Sequence, residues 1–156
     1  MREAKFYYKD ANAPKPNKPF RIGASVLIQY NNRLLLEHRA DSNVWGLVGG
    51  GMHPDESFLD CAIREVREET GILLERDKVN VFHIYDDPSR IASYPDGNIY
   101  RLIGVIFITE LFEEPELVCS QETRELRFFT KKEIETLSIA ASHIPIIHDY
   151  LYGFQE

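Results

Sequence analysis

Residues 50–72 of the chain read GGMHPDESFLDCAIREVREETGI, and this stretch decides how the rest of the sequence is interpreted. The segment from Ser57 to Thr70 has the apolar spacing of a helix that lies against a sheet. Ser57 is a favourable N-cap residue, Asp60 stands three positions later as a capping-box partner, and Gly71 is typical of the position after a helix. The sequence therefore predicts an amphipathic helix with defined ends.

Three glutamates of this helix are predicted to lie on one side. At about 100° per residue, Glu65, Glu68 and Glu69 fall within an arc of about 100°. An apolar stripe lies beside them and consists of Leu59, Ala62, Ile63 and Val66. One flank of the helix is thus predicted to pack on a sheet, while the next flank presents three negative charges.

Carboxylates this close repel one another. Like charges three or four residues apart on a helix cost roughly 0.2–0.5 kcal/mol per pair, and Glu65 forms such a pair with both Glu68 and Glu69. Arg64, four residues before Glu68, offsets part of this repulsion. A divalent cation would remove the remainder, and oxygen ligands favour the hard ions Mg²⁺ or Mn²⁺. An ordinary solvated acidic face is the alternative interpretation of the same three residues.

The spacing of the whole stretch discriminates between these interpretations. The sequence resembles the Nudix (MutT-like) hydrolase family, whose signature is G-x5-E-x7-R-E-U-x-E-E-x-G-U, with U a bulky aliphatic residue. The match runs from Gly50 to Ile72 without a mismatch, and Val66 and Ile72 fill the two U positions. It covers 23 of the 156 residues, so the resemblance depends on a short but highly specific motif.

The segments around the motif predict an α/β fold. Runs of β-forming residues at 20–30 and 33–39, separated by Asn31-Asn32, predict a hairpin. Further elements are predicted as strands at 79–85, 100–112 and 126–130, a long hairpin loop at 86–98, a short helix at 131–137 and a C-terminal helix at 144–154. Interleaved strands and helices imply a sheet covered on both faces. The resemblance implies the Nudix α/β/α sandwich, with a mixed β-sheet between helices.

The N-terminal residues differ in composition from the rest. Residues 9–19 contain three prolines and few apolar groups. We expect residues 1–19 to form an extended N-terminal arm and residues 20–156 to form a single Nudix hydrolase domain. The aromatic run Phe6, Tyr7 and Tyr8 would allow the arm to pair across a homodimer.

The resemblance also implies a reaction. Family members hydrolyse a diphosphate that links a nucleoside to another group X, and they use Mg²⁺ or Mn²⁺. On this sequence, the metal ligands implied are Gly50, through its backbone carbonyl, and Glu65, Glu68 and Glu69. Arg64 would orient a carboxylate, and Glu56 receives a structural role. The alternative is a Nudix-like module that binds or senses a nucleotide without hydrolysis, but such modules usually lose a glutamate of the motif and this chain retains them all.

A general base must come from the metal-binding cluster or from a carboxylate outside the motif. In several family members the base is a glutamate on a late loop. The corresponding loop here, ELVCSQETRE at 116–125, offers Glu116, Glu122 and Glu125. We favour Glu122 as a catalytic residue, with Glu68 and Glu69 as the alternatives.

Four residues outside the motif are candidates for substrate contacts: Arg39, Trp45, Tyr85 and Tyr100. Arg39 could reach a phosphate, Trp45 stands just before the glycines and could stack on a base, and the tyrosines flank the loop at 86–98. Each also has a structural interpretation, as an exposed strand end or as part of the core.

The class of nucleotide is less well determined by the sequence. ADP-ribose-type family members often carry a proline about sixteen residues after the signature, and Pro88 stands sixteen residues after Ile72. Its neighbours depart from the fuller pattern of those members. Oxidised nucleoside triphosphates, sugar nucleotides and dinucleoside polyphosphates therefore stay open as substrates.

Composition excludes several other classes of protein. With 18 Lys and Arg against 25 Asp and Glu, the net charge of −7 argues against a nucleic-acid duplex as partner. The longest apolar run, 102–108, is far shorter than the roughly 20 residues of a membrane span. The two cysteines form no C-x-x-C pair. We expect a cytoplasmic protein that acts on a small-molecule nucleoside diphosphate derivative, away from membranes.

Overall fold

A computed structural model describes residues 3–154 of the chain. Its elements in chain order are β1 (Lys5–Tyr7), β2 (Arg21–Tyr30), β3 (Arg33–Arg39), β4 (Trp45–Gly46), β5 (Val48–Gly51), α1 (Phe58–Thr70), β6 (Asn80–Tyr85), β7 (Ile91–Ser93), β8 (Ile99–Leu111), β9 (Thr123–Thr130), α2 (Lys131–Ile134) and α3 (Ile144–Tyr152). Single 3₁₀ turns precede β6 and α3.

The centre of the sheet is a parallel pair of long strands. Residues Arg21–Tyr30 of β2 lie alongside Leu102–Leu111 of β8 in continuous register. The other pairings are antiparallel: β5 and β3 bond to β2, β6 and β7 bond to β8, β9 and β4 bond to β3, and β1 bonds to β7. The sheet is therefore mixed, as predicted.

The predicted hairpin at the start of the domain is confirmed. Asn31 and Asn32 connect β2 to β3 with φ angles of 51° and 60°. A two-residue turn with both central residues at positive φ matches the right-handed twist of the flanking strands, and asparagine tolerates that conformation better than most residues.

The core lies on both faces of this sheet, because successive strand residues point to opposite sides. Val26 and Ile28 of β2 pack in the cluster beneath α1. Leu27, between them, packs in the opposite cluster with residues of α2 and α3. The predicted three-layer arrangement, helix on sheet on helix, is confirmed. Among the helices of residues 3–154, none has the length and apolar character that crossing a bilayer requires.

Two predictions about loops need correction. Residues 86–98 are not a loop throughout, because Ile91–Ser93 form strand β7. Within the predicted arm, Lys5–Tyr7 form strand β1, which pairs with β7, and Asn17 bonds to the backbone of Ile99. Both strands have three residues and obtain their hydrogen bonds from distant partners, so no local pattern marks them. Residues 9–19 contain no regular element, and the limits of the predicted arm and domain at 1–2 and 155–156 lie outside the described residues.

Candidate active site

Helix α1 has two well-defined ends that fix the position of its glutamates. Ser57 is the N-cap: its side chain accepts the amide N–H of Asp60, while the Asp60 carboxylate accepts the N–H of Ser57. Gly71 ends the helix in the left-handed conformation, with φ of 81°, which costs glycine little. The predicted helix is therefore confirmed at both ends.

The three glutamates of α1 differ in their exposure. Glu69 is buried, with 6% of its surface exposed, Glu65 exposes 14% of its side chain and Glu68 exposes 53%. Burial raises the pKa of Glu65, and the charge of Glu68 adds to this effect, while Arg64 opposes it. The exposure of the three carboxylates thus increases from the cleft interior to its rim.

The glycines of β5 allow this helix to lie close to the sheet. A Cβ atom on Gly50 would lie 2.5 Å from the carboxylate carbon of Glu65. The amide N–H of Gly49 donates to Glu69 Oε2 at 3.2 Å, and the Cys61 thiol lies 3.6 Å from the carbonyl oxygen of Gly50. A side chain at position 50 would displace Glu65, so close approach of the two elements requires glycine here.

Arg64 links the carboxylates of the motif to one another. Its Nη1 atom donates to Glu65 Oε1 at 2.8 Å and to Glu68 Oε2 at 3.1 Å. Its Nη2 atom donates to Glu56 Oε1 at 2.9 Å and to the carbonyl oxygen of Gly51 at 3.0 Å. The hydrogen bonds from Arg64 hold the pKa of Glu56 at about 2. Arg64 therefore joins the loop before α1, strand β5 and the helix.

Glu37 of β3 belongs to the same cluster, although sequence reasoning did not single it out. Only 4% of its surface is exposed, and its Oε2 atom accepts the hydroxyl of Thr123 at 3.0 Å. Burial raises the pKa of both Glu37 and Glu69, and their mutual contact adds to the rise for Glu69. The available signal was a charged residue that directly follows the apolar run Leu34–Leu36 in a strand.

A single cleft of about 450 Å³ runs past these residues. One end is lined by Glu37, Glu65, Glu69 and the glycines 49–51, and the other end is lined by Phe6, Arg21, Arg39 and Tyr94. Arg39, a predicted substrate contact, bonds to both carboxylate oxygens of Asp41 at 2.7 and 2.8 Å. The cleft therefore joins an acidic end to an end with two arginines and two aromatic rings.

Glu122 lines this cleft, whereas the two other glutamates of its loop do not. The charge of Glu122 adds to the rise in pKa of Glu65 and of Glu37, with which it shares the cleft. Glu125 lies on strand β9 rather than on the predicted loop and pairs with Arg127 on the surface, and Glu116 is exposed and does not line the cleft.

Two of the predicted substrate contacts, Trp45 and Tyr85, lie outside this cleft. The ring of Trp45 stacks on His38 and packs edge-on against Phe129, with ring centroids 4.9 Å apart in both cases, and it does not line the cleft. The hydroxyl of Tyr85 donates to Asp149 at 2.6 Å and faces a second cavity.

Tyr100 and Glu68 lie at the margins of the cleft. The Tyr100 ring lies 6.0 Å from Tyr94 and 5.9 Å from the guanidinium of Arg21, so it supports the cleft wall from behind. Glu68 is on the exposed rim beside Arg64. Tyr94 and Arg21 line the cleft and are therefore better candidates than Tyr100 for contacts with the substrate.

The donor set fits a hard divalent cation. Glu65, Glu68 and Glu69 offer only oxygen atoms, and the raised pKa of Glu65 and Glu69 reports uncompensated negative charge that a cation would relieve. Within residues 3–154, no three His, Cys, Asp or Glu side chains already converge on one point at ligand distance. Arg64 occupies part of the space between Glu65 and Glu68, so these carboxylates would turn toward an ion as it binds.

Comparison with known proteins accounts for this arrangement. The family model of the NUDIX domain matches residues 19–150, which include the complete motif and every strand except β1. The chain belongs to the Nudix hydrolase family. The predicted family, fold and enzyme class are thereby confirmed for this Nudix protein, and hydrolases of this family generally use divalent metals.

Two relatives have similar lengths to this Nudix protein. A nucleoside triphosphatase NudI from Enterobacter sp. (strain 638) is 30% identical over 119 residues, which cover 72% of this chain and 84% of that protein. An ADP-ribose pyrophosphatase from Methanocaldococcus jannaschii is 30% identical over 134 residues, which cover 83% of this chain and 72% of that protein.

Solved structures share the fold at lower identity. The NUDIX domain of Shewanella oneidensis NrtR, determined in complex with ADP-ribose, has a TM-score of 0.69 at 15% identity, covering 90% of this chain and 92% of that one. At this identity the likeness shows the fold alone. Three other solved chains that share the fold are longer, and this protein spans 43–46% of them.

Proposed function

We propose that this Nudix hydrolase cleaves the diphosphate bond of a nucleoside diphosphate linked to another group X, and that its metal is Mg²⁺ or Mn²⁺. ADP-ribose-type compounds and oxidised nucleotides are the substrate classes that we favour. The observation that carries the proposal is the single cleft with carboxylates at one end and arginines and aromatic rings at the other. One relative is named for ADP-ribose and another for nucleoside triphosphates, which supports a nucleotide-derived substrate.

The metal would be held by Glu65, Glu68 and Glu69 together with the carbonyl oxygen of Gly50. A divalent ion bound there would neutralise the diphosphate and lower the pKa of the attacking water. The hydrogen bonds from Arg64 to Glu65 and Glu68 support a role for Arg64 in orienting these carboxylates.

Arg21 and Arg39 are positioned to bind the phosphates. The guanidinium of Arg21 lies beside Gly51, with its Nε atom 3.0 Å from the position that a Cβ atom on Gly51 would take. Within residues 3–154, Arg21 forms no ion pair with a carboxylate. Arg39 is already bonded to Asp41, which holds its planar group in a fixed orientation. A guanidinium that is fixed before binding loses less side-chain entropy when a phosphate arrives.

Glu122 would act as the general base. It lines the same cleft as Glu65 and Glu69, and its side chain is exposed, so it can approach a water molecule next to the substrate. Its position outside α1 leaves all three motif glutamates for metal binding. Glu68 or Glu69 as the base is the alternative.

Turnover of a panel of diphosphate compounds tests the proposed function. The panel contains ADP-ribose, NADH, 8-oxo-dGTP, dNTPs, sugar nucleotides and diadenosine polyphosphates, each assayed with Mg²⁺, with Mn²⁺ and with EDTA. We expect hydrolysis of one class that depends on the metal and is abolished by EDTA. Ligand-induced thermal stabilisation without hydrolysis of any compound would contradict the proposal and identify a binding module.

A further inference from the structure

Strand β1 forms part of the cleft although it lies outside the matched Nudix domain. It is anchored on both sides: Phe6 pairs in register with Ala92 of β7, and the amide N–H of Ala4 donates to the carbonyl oxygen of Asp41 at 3.0 Å. Ala4 is buried, whereas Phe6 is half-buried and lines the cleft. The domain alone would leave this end of the cleft open.

Two aromatic rings from distant parts of the chain meet at this end. The ring of Phe6 lies edge-on to that of Tyr94, with centroids 6.5 Å apart. A guanidinium group covers each ring: Arg39 lies 4.8 Å from the centroid of Phe6, and Arg21 lies 5.3 Å from that of Tyr94. Apolar ring surface flanked by planar cations is the arrangement that binds stacked, electron-rich aromatic groups.

The distance between this aromatic end and the carboxylates suits a diphosphate. Arg39 is two residues beyond Glu37 on β3, and Arg21 is two residues before Gly23, which pairs with Gly51. Arg39 Nη1 lies 3.9 Å from Glu37 Oε1, and the same guanidinium lies 4.8 Å from the centroid of Phe6, so Arg39 extends from the carboxylates to the aromatic ring. A diphosphate and a ribose could therefore lie along the glycines and the arginines, with the next group of the ligand at the rings.

We propose that Phe6 and Tyr94 form the site for the nucleobase of the substrate, so that strand β1 determines its specificity. This inference rests on the proposed function, because it assigns the far end of the same cleft. The ligand class is a nucleotide with a planar aromatic base, which would stack on the face of one ring and meet the perpendicular second ring edge-on. Arg21 and Arg39 then contact the phosphates and also pack against the aromatic surface.

A pair of probes isolates the base. AMP and ribose 5-phosphate share the phosphorylated ribose and differ in the adenine, and neither contains a diphosphate bond, so binding is measured without hydrolysis. Titration calorimetry with Mg²⁺ gives the affinity of both probes for the full chain. We expect the wild type to bind AMP about tenfold or more tightly than ribose 5-phosphate, as expected for stacking of one base on aromatic side chains.

The variant Phe6→Leu removes the aromatic ring but retains an apolar side chain on β1. We expect it to bind AMP about tenfold more weakly, with the affinity for ribose 5-phosphate unchanged. Tyr7→Leu is the matched control, because Tyr7 lies on the same strand and its side chain points to the opposite face. This control should bind both probes as the wild type does.

Two results would overturn the inference. One is unchanged AMP affinity in Phe6→Leu, and the other is an equal loss for AMP and ribose 5-phosphate, which would indicate a structural role only. If Phe6→Leu does not fold, Tyr94→Leu decides, because it leaves β1 intact and should show the same selective loss. If the wild type hydrolyses a panel compound and the variants keep their AMP affinity, only the base site is refuted. If the wild type binds AMP more tightly than ribose 5-phosphate but hydrolyses no panel compound, only the proposed function is refuted.

Discussion

Glu69 is the most buried of the three glutamates on α1, and two neighbours restrain it. Its carboxylate accepts the amide N–H of Gly49 on β5 and contacts the carboxyl group of Glu37 on β3. Burial and the charge of Glu37 raise the pKa of Glu69, so this carboxyl binds a proton more readily than an exposed glutamate does. A proton and a metal ion therefore compete for the same carboxylate.

Replacing Glu69 by glutamine tests its role in metal binding. We expect turnover to fall by about 10²–10³-fold, because one ligand of the diphosphate-neutralising ion is weakened. We expect the free energy of unfolding without metal to rise by about 1 kcal/mol, or roughly 2–4 °C in Tm, because the amide can donate to Glu37 and carries no charge. Steady-state rates and thermal unfolding measure the two effects.

Two further variants show whether the effects of Glu69→Gln are specific to that position. The exposed Glu113 gives the control variant Glu113→Gln, which should resemble the wild type in rate and in Tm. Glu68→Gln should lose turnover with little change in Tm, because Glu68 lies on the exposed rim. A Glu69→Gln variant with near wild-type rates would contradict the assignment of Glu69 as a ligand.

The loop glutamates offer a second test at the scale of single residues. We expect Glu122→Gln to slow turnover by about 10²–10⁴-fold with unchanged affinity for the metal, since a lost general base affects proton transfer only. Glu116→Gln, on the same loop, and Glu125→Gln, on the adjoining strand β9, are controls that should retain activity. A slow Glu116 or Glu125 variant beside an active Glu122 variant would place the base elsewhere.

Sequence reasoning identified the residues of the motif because their spacing on one helix determines their geometry. Glu65 and Glu69 line the cleft, and Arg64 contacts Glu68, four residues later, and also Glu65. Glu37 and Arg21 were missed, since they come from other strands and contribute to the site only through the sheet register. Their assigned roles, like those of the motif residues, stay predictions until variants are measured.

At the scale of elements, the contact between α1 and β5 depends on the absence of a side chain at one position. Gly50→Ala would place a methyl group 2.5–2.7 Å from the atoms of the Glu65 carboxylate. That carboxylate is bonded to Arg64 and moves only by breaking the bond. We expect activity to fall at least about tenfold, and the free energy of unfolding to fall by about 1–3 kcal/mol through overpacking.

Gly104→Ala is the matched control for this substitution. Gly104 lies on the central strand β8, and the nearest atom to its added Cβ would be 3.4 Å away. The control should retain activity and lose little stability. Equal activity of the Gly50 and Gly104 variants would show that Glu65 does not need its present position.

Elements with local signals were predicted, and elements without them were not. Helix α1 carries both of its caps in its own sequence, and the turn Asn31-Asn32 marks the first hairpin. Strands β1 and β7 have three residues each and depend on each other for their hydrogen bonds. Because these partners are far apart in the chain, only tertiary structure determines their pairing. Dimer formation and a cytoplasmic location likewise stay predictions.

At the scale of the whole molecule, the acidic cluster makes stability depend on pH. Burial raises the pKa of Glu37, Glu65 and Glu69, so the folded state binds protons more tightly than the unfolded state. The free energy of unfolding therefore decreases as pH rises through the folded pKa values. Buried His143, whose pKa is lowered to about 3, has the opposite effect only below its ordinary value of 6.5.

The cleanest interval for a test is therefore about pH 7–9. In EDTA we expect Tm to decrease across this interval, and we expect the decrease to be smaller in Glu69→Gln. Mg²⁺ should raise Tm more at the upper end, because ligand carboxylates must lose their protons before they bind a metal. A metal-free Tm that is constant or rises over this interval would contradict the proposed charge balance.

The parallel pair at the centre of the sheet also governs the order in which the molecule can assemble. Arg21 of β2 pairs with Leu102 of β8, so 102 − 21 = 81 residues separate the partners. Closing so long a loop is entropically costly and slows folding relative to hairpins and helices. During synthesis on the ribosome, α1 can form as soon as it emerges, but its sheet is incomplete until β8 and then β9, which ends at Thr130, follow. A nascent chain that ends just after α1 already carries the glutamates proposed to bind metal, but it lacks Leu102, Ile103 and Glu122, which line the cleft.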